Sequence, residues 1–422
     1  MTDMTHAAPA VGDKRASLAR LSDTFAAALA ASLPWSTSAT GILVAIWVLT
    51  LLPTIEWSAL RRDLARPPCA IPLLLVGLAV LGMLWADVDL VARAEGLASF
   101  LKLLAIPLLL YQFSRSERGT WVLGAFLASS ALLLTASWLN VLMPSLPWTP
   151  KMPGIPVKDY ISQSGIFTLC IFGLLYLAAD MWPERRAYSL ALGAAGLLFL
   201  ANIVYVATGR TALAVIPILF VLFGVRRFPL RRLAIFLLVG LLAAATAWAT
   251  SSYLRERVTN VGNEIEKYRF ENADTSSGER LEFWRSAAEI VEGAPWFGNG
   301  TGSVRDSFRR VGQGRSQIAA NASNPHNQIF AVAIQLGALG AVLLLAMWVA
   351  HWRLFWTAGL PGWLGLVVVT QNVISSLFNS HLFDFTQGWV YVVGVGVLGG
   401  MVVRKDPGFA VERSVPDAPA DR

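Results

Sequence analysis

Among four histidines in 422 residues, His326 stands in Ser-Asn-Pro-His-Asn, where a polar stretch gives way to an apolar one. Asn324 and Pro325 are residue types that begin helices, which predicts the imidazole in the first turn. The positive end of that helix disfavours imidazolium, so the ring is expected neutral and able to accept a proton. An interfacial histidine can equally serve only to hydrogen-bond its neighbours. Arg210, in Thr208-Gly209-Arg210, interrupts an otherwise apolar run from 187 to 225. A guanidinium there must snorkel, pair, or line a wet cavity. Its planar fork suits a phosphate or diphosphate, at about 1.5 to 3 kcal/mol for one charge-assisted hydrogen bond.

Weaker candidates surround these two. Arg280 and Arg285 lie near Glu279, Glu282 and Glu289, where surface pairing at helical spacing would account for them, but their segment leads to His326. Lys102 lies inside an apolar block close enough to its end to reach an interface. Lys158, Tyr160 and Gln163 precede another block and read as substrate contacts or interfacial anchors. Asp384, in His-Leu-Phe-Asp-Phe, could orient a base or pair with an arginine. Asp87 and Asp89 have a D-x-D spacing that could hold a cation, although two carboxylates make a thin site and acidic flanks outside spans are common. No metal is therefore assigned. Cys69 and Cys170 lack ligand or disulfide spacing and read as packing residues.

The elements that must hold these groups are membrane helices. Hydrophobic residues make up 55% of the chain and charged ones 14%, with a mean hydropathy of +0.56, which excludes an ordinary soluble domain. The apolar residues gather into blocks long enough to cross about 30 Å of hydrocarbon. They predict an all-α polytopic bundle of about 12 spans, near 18–34, 39–55, 70–86, 97–113, 120–142, 162–180, 187–207, 210–225, 232–250, 327–350, 360–379 and 385–403. Residues 25–33 superficially resemble a signal peptide, but another apolar block follows at once, so a retained span is expected. Basic residues collect in alternate connectors, including Arg61, Arg115, Arg185, Arg226 and Arg353. That alternation puts both tails, 1–17 and 404–422, in the cytoplasm, the second of them disordered. It also accounts for the net charge of +7 without nucleic acid.

Between spans over 18–250 and 326–403 lies one large outer loop, 251–325, too polar to cross. Leu254, Val258, Val261, Ile265 and Tyr268 repeat at helical spacing, as do Leu281, Trp284, Ala288 and Val291. Ser276 and Glu279 have capping-box spacing, and Gly298, Gly300 and Gly302 predict an irregular turn.

These features together resemble the O-antigen ligase family, within the group that includes O-antigen polymerases and pilin oligosaccharide transferases. The likeness rests on the layout and on local motifs of the C-terminal half. These are Thr-Gly-Arg-Thr-Ala-Leu at 208–213, Gly-Glu-Arg-Leu-Glu-Phe-Trp from 278, Ala-Pro-Trp-Phe-Gly-Asn-Gly at 294–300, Pro-His-Asn-Gln from 325 and Leu-Gly-Ala-Leu-Gly at 336–340. The N-terminal half agrees only in its pattern of spans.

The resemblance implies transfer of a glycan from undecaprenyl diphosphate to the lipid A core, at the periplasmic face of a bacterial inner membrane, without metal or other cofactor. Through their motifs, Arg210 and Arg280 match the essential arginines, with Arg285 competing for the second place, and His326 the histidine. In a single displacement the arginines would stabilise the departing diphosphate while His326 deprotonates the acceptor hydroxyl, inverting the anomeric carbon. A polymerase or pilin transferase would differ in acceptor. A secondary transporter would also have many spans, but paired repeat halves are not evident. Oligomeric state is open.

Overall fold

The computed structural model describes residues 11–145, 152–271, 275–357 and 359–405, so parts of both predicted tails and of the Pro-rich 143–160 connector lie outside the described residues. Among those described, the chain is helical without β-strands. The helices are α1 (Val11–Ser32), α2 (Thr37–Leu51), α3 (Trp57–Leu64), α4 (Pro67–Gly82), α5 (Leu90–Leu101), α6 (Ala105–Phe113), α7 (Gly119–Leu142), α8 (Tyr160–Met181) and α9 (Arg186–Tyr205). There follow α10 (Arg210–Arg227), α11 (Leu230–Thr250), α12 (Ser252–Glu271), α13 (Ser276–Gly293), α14 (Val304–Gly312), α15 (Gln317–Ala320), α16 (Gln328–Leu354), α17 (Leu360–Ser375) and α18 (Phe385–Lys405).

Each predicted apolar block overlaps a helix, but fewer than 12 qualify as crossings. Eight are long and apolar enough among the described residues, or nine if α3 and α4, bent by 84°, form one broken span. The exceptions have visible causes. Charged residues such as Lys14, Arg15, Arg20 and Asp23 dilute α1, Arg210, Arg226 and Arg227 bracket α10, and α17 has only 16 residues.

The core is one large cluster, in which Trp47, Phe100, Phe113, Phe167 and Tyr391 are fully or nearly fully buried. Helix α18 packs on α6 and α17, α8 on α9, and α16 on α4. Cys69 and Cys170 are buried and free, as packing residues. The basic connectors meet one another: Arg115 pairs with Asp63 at 2.8 Å, Arg404 with Glu117 at 2.9 Å, and Arg227 with Asp180 at 3.6 Å. The connectors that follow α3, α6 and α18 are thus linked to one another, and the one after α10 to the end of α8.

At the other end, α12 to α15 form a smaller unit with its own apolar cluster. Ala287, Ile290, Phe308 and Ala322 pack there with Ile334 of α16. The face of α13 that packs there is therefore Phe283, Ala287, Ile290 and Val291, which keeps Val291 of the predicted Leu281, Trp284, Ala288 and Val291 stripe but is otherwise rotated from it. The helix also starts one residue early: Thr275, not Ser276, caps it by accepting from the Gly278 amide at 3.2 Å.

The glycine turn fastens this unit to the bundle. Helix α16 breaks at Gly337, where φ is +63°, which strands backbone groups on both sides of the break. Residues 295–300 supply the missing partners. The amides of Asn299 and Gly300 donate to the carbonyls of Ile334 and Gln335 at 2.8 and 2.9 Å, and the Ala338 amide donates to Pro295 at 2.7 Å. Thr301 donates onward to the last turn of α4, its amide to Gly82 at 3.0 Å and its hydroxyl to Ala79 at 2.6 Å. A Cβ at Gly298 would strike the Gln335 backbone, and one at Gly337 the Trp296 backbone, so both closest approaches require glycine. Two of the motifs noted in the sequence are therefore the two halves of one interlock.

Candidate functional site

Arg210 is the first residue of α10, at the break after α9, and not in mid-helix. The α12–α13 hairpin reaches over it. Its guanidinium forks onto both carboxylate oxygens of Glu264 and donates to the Ser277 hydroxyl at 3.1 Å. Glu264 also accepts from the Ser277 amide and hydroxyl, at 3.1 and 2.6 Å. Burial works to raise the Glu264 carboxyl, but the hydrogen bonds and charge of Arg210, with those of Ser277, outweigh it and hold the group below its usual range. The pair is ionised and well satisfied.

Arg280, one turn into α13, has no such partner. Among the described residues it makes no hydrogen bond or ion pair, although it is only partly exposed. Burial first, and then the nearby charge of Arg210, lower its pKa, while Tyr160 and Glu264 pull the other way. Two guanidiniums side by side, one of them uncommitted, make a strongly anion-attracting spot. Arg257 of α12 extends it, lying 4.9 Å over the Tyr160 ring. Arg285 points elsewhere: it is exposed and lines a separate hollow with Tyr268 and Glu289. The geometry thus singles out Arg280 of the two candidates as the neighbour of Arg210.

His326 adjoins this cationic side. Its pKa is lowered by burial and by the Arg280 charge, against an opposing hydrogen bond to Asn379 and the charge of Glu279. The ring stacks on Phe283 at 5.8 Å. It does not sit in the first turn of α16, because Asn327 is the cap, accepting from the Ile329 and Phe330 amides at 2.9 and 3.2 Å. His326 precedes the cap with φ of +50°, a left-handed conformation that costs on the order of 1 kcal/mol in a non-glycine residue. Asn324 holds the turn: its Oδ1 accepts from the His326 amide at 2.9 Å and from the Ser380 hydroxyl at 2.7 Å. Burial and a neighbouring cation therefore favour the neutral ring.

The connector 376–384 fixes which nitrogen of the ring is free. Asn379 Nδ2 donates to Asp384 Oδ2 at 3.2 Å, which orients the amide. Its Oδ1 then lies 2.7 Å from His326 Nδ1. An amide oxygen can only accept, so Nδ1 carries the proton and Nε2 keeps its lone pair. Burial pushes Asp384 up to about 6, with Lys102 opposing and Asp159 assisting. Lys102 Nζ is spent on the Phe383 and Asp384 carbonyls, at 2.9 and 3.0 Å. Next to it His381 is buried, and its pKa is lowered to about 4 mainly by that burial.

Beyond Asp384 opens a polar cleft of about 790 Å³, bounded by Asp89, Glu95, Asp306, Asn324 and Ser380. Asp89 caps α5, accepting from the Ala92 amide at 2.8 Å, and Asp87 pairs with Arg310 at 3.3 Å. No group of three or more potential metal ligands occurs among the described residues. Two further sequence candidates are committed to structure. Gln163 donates at 3.1 Å to Ser137, Gly154 and Asn202 in the interior. Lys158 donates to the Leu33 carbonyl at 2.6 Å and Thr386 at 2.9 Å, and burial lowers its pKa to about 8.

Glu264, Asn379, Asn324 and Arg257 were not legible as site residues. Only Asn379 and Asn324 carried a signal, as polar residues close in sequence to Asp384 and His326.

No curated protein matches the chain. Residues 194–345, which run from α9 into α16 and hold Arg210, Arg280 and His326, match the sequence model of the family described as O-antigen ligase. Over that segment the chain is thus similar to the O-antigen ligase family, and with eight or nine apolar helices of spanning length among the described residues it is a multi-pass membrane protein.

Proposed function

We propose that the chain transfers a glycan from undecaprenyl diphosphate to the lipid A core oligosaccharide, at the periplasmic face of the inner membrane and without a metal ion. The observation that carries this reading is the uncommitted Arg280 guanidinium beside both Arg210 and a neutral imidazole whose Nε2 is free. An anion and a proton donor would be served together there.

In the reaction, a hydroxyl of the acceptor attacks the anomeric carbon as the bond to the diphosphate oxygen breaks. Nε2 of His326 takes the hydroxyl proton, a contribution of about 10² to 10⁴ in rate. Arg280 meets the charge that develops on the leaving diphosphate. Arg210, already forked onto Glu264 and Ser277, adds positive potential from a fixed position. One displacement inverts the anomeric configuration.

The test is glycan transfer by purified protein from a lipid-diphosphate donor to core lipid with chelator present. Product of inverted configuration is expected, and dependence on an added divalent cation would overturn the metal-free mechanism. A deletion strain separates ligation from polymerisation. Bare core with accumulated lipid-linked polymer is expected, and loss of the long polymer itself would assign the chain to chain extension.

A further inference from the structure

Two hollows of opposite character meet beside the 376–384 connector. One is the polar cleft already described, whose walls include the carboxylates of Asp89, Glu95, Asp306 and Asp384. The other, of about 640 Å³, is a largely apolar trough between α2, the α5–α6 pair and α18, with Val44, Leu104, Leu108 and Trp389 among its walls. Ser99 and Phe383 line both, so the two hollows adjoin at these residues.

The walls of the trough belong to helices of spanning length, so it faces hydrocarbon. Leu101 and Phe385 on its rim are 43% and 38% exposed. Its one charged lining group, Lys102, is consumed by two backbone carbonyls. An occupant of the trough must therefore be an alkyl chain. An occupant of the cleft must tolerate four carboxylates, which repel a phosphodiester headgroup but accept hydrogen bonds from the adjacent hydroxyls of a sugar. The cleft also holds Arg305, exposed and without a hydrogen bond or ion pair among the described residues, which could receive one anionic substituent. Arg309 beside it is paired with Asp306.

We propose that cleft and trough together bind one acylated saccharide, its alkyl chain along α2, α5–α6 and α18 and its sugar on the Asp384 side of the His326–Asn379–Asp384 chain. That this glycolipid is the acceptor rests on the transfer proposed above; that it binds there does not. The sugar would approach the imidazole from the side opposite the paired arginines, as a displacement requires of acceptor and leaving group.

Photocrosslinking tests it without needing turnover. The full chain carries a benzoylphenylalanine in place of Leu104, or of Leu241 on α11 as a lipid-facing control, in phospholipid nanodiscs doped with an acylated glucosamine disaccharide. Adducts with the disaccharide are expected about tenfold more often at Leu104 than at Leu241. Excess unlabelled disaccharide should remove them and excess phospholipid should not. Ser99→Trp, which narrows the junction, should cut the Leu104 yield to the control level. Equal yields at both positions, or displacement by phospholipid, overturns the proposal. Enrichment at Leu104 in a protein that transfers no glycan would support the binding site and overturn the transferase reading; transfer without enrichment would do the reverse.

Discussion

His326 is linked to two regions built on opposite principles. On one side the groups are cationic and come from α10, α12 and α13, with one guanidinium locked by Glu264 and one left without a partner. On the other side they are carboxylates, supplied by α5, α14 and the 376–384 connector, around a cleft. The first arrangement suits a leaving group that departs with negative charge, and the second a neutral nucleophile rich in hydroxyls. The imidazole belongs to both, because burial and then the Arg280 charge lower its pKa while Asn379 orients it.

Substitutions on the two sides should therefore fail differently. The largest effect is expected at the shared residue: His326→Ala should lower kcat by about 10² to 10⁴ while donor binding by the purified protein stays near that of wild type. Wild-type turnover in a variant that inserts normally would remove the base. Next comes Arg280→Ala, expected to lose about 1.5 to 3 kcal/mol of diphosphate interaction, or roughly 10- to 100-fold in donor kcat/KM. Arg280→Lys should recover only part of that, since a point charge lacks the fork. An unchanged donor dependence with an altered acceptor KM would reverse the assignment of sides.

Asn379→Ala should cost about tenfold in kcat, by releasing Nδ1 and freeing the ring to turn. The pH profile reads the same chain. As pH falls through about 6, Asp384 gains its proton and stops being a purely accepting partner for Asn379. His326, whose pKa is held below its ordinary value mainly by burial, loses its lone pair only when more acid conditions protonate it. Activity should thus decline below about pH 6 and be flat above it. Asp384→Asn should lower the plateau and leave a limb set by the imidazole alone; an unaltered profile would detach Asp384 from the base. The smallest effect is expected for Glu95→Gln, about two- to threefold in acceptor KM from one weakened hydrogen bond, with donor kinetics unchanged.

How much of this could be read in the sequence depended on whether a residue's role is local. Arg210 stood out because a guanidinium within an apolar run is anomalous by itself. Asn379 did not, because a neutral amide beside a span has many ordinary uses, and its significance arises only when the fold sets it between His326 and Asp384. Hydropathy had a similar limit. Helices α11 and α18 both read as spans, yet the spanning window of α11 is 0% buried and that of α18 is 89% buried. The more apolar of the two is the exposed one, at mean hydropathy 2.1 against 1.5. A helix facing lipid has only hydrocarbon to satisfy it, whereas α18 can carry Thr386, Gln387 and Tyr391 among packed neighbours. The pattern therefore identified apolar segments but could not rank them, and flanking arginines or short length leave some of those segments below the length and composition of the eight or nine spanning helices among the described residues. The rotated face of α13 has the same origin, since its neighbours Phe308, Ala322 and Ile334 come from elsewhere in the chain.

The interlock at Gly337 has a mechanical consequence. Backbone amides of 299, 300 and 338 can lose their partners only together, because each bridges the same two strands of chain. Lifting the α12–α15 cap to admit a bulky polymer would thus tear the ladder of α16 itself, at the span that begins just after the imidazole. Under the proposed reaction, substrates would instead pass beneath a fixed roof, sideways from the bilayer, and any breathing of that roof would bend α16 as a lever bends about its pin.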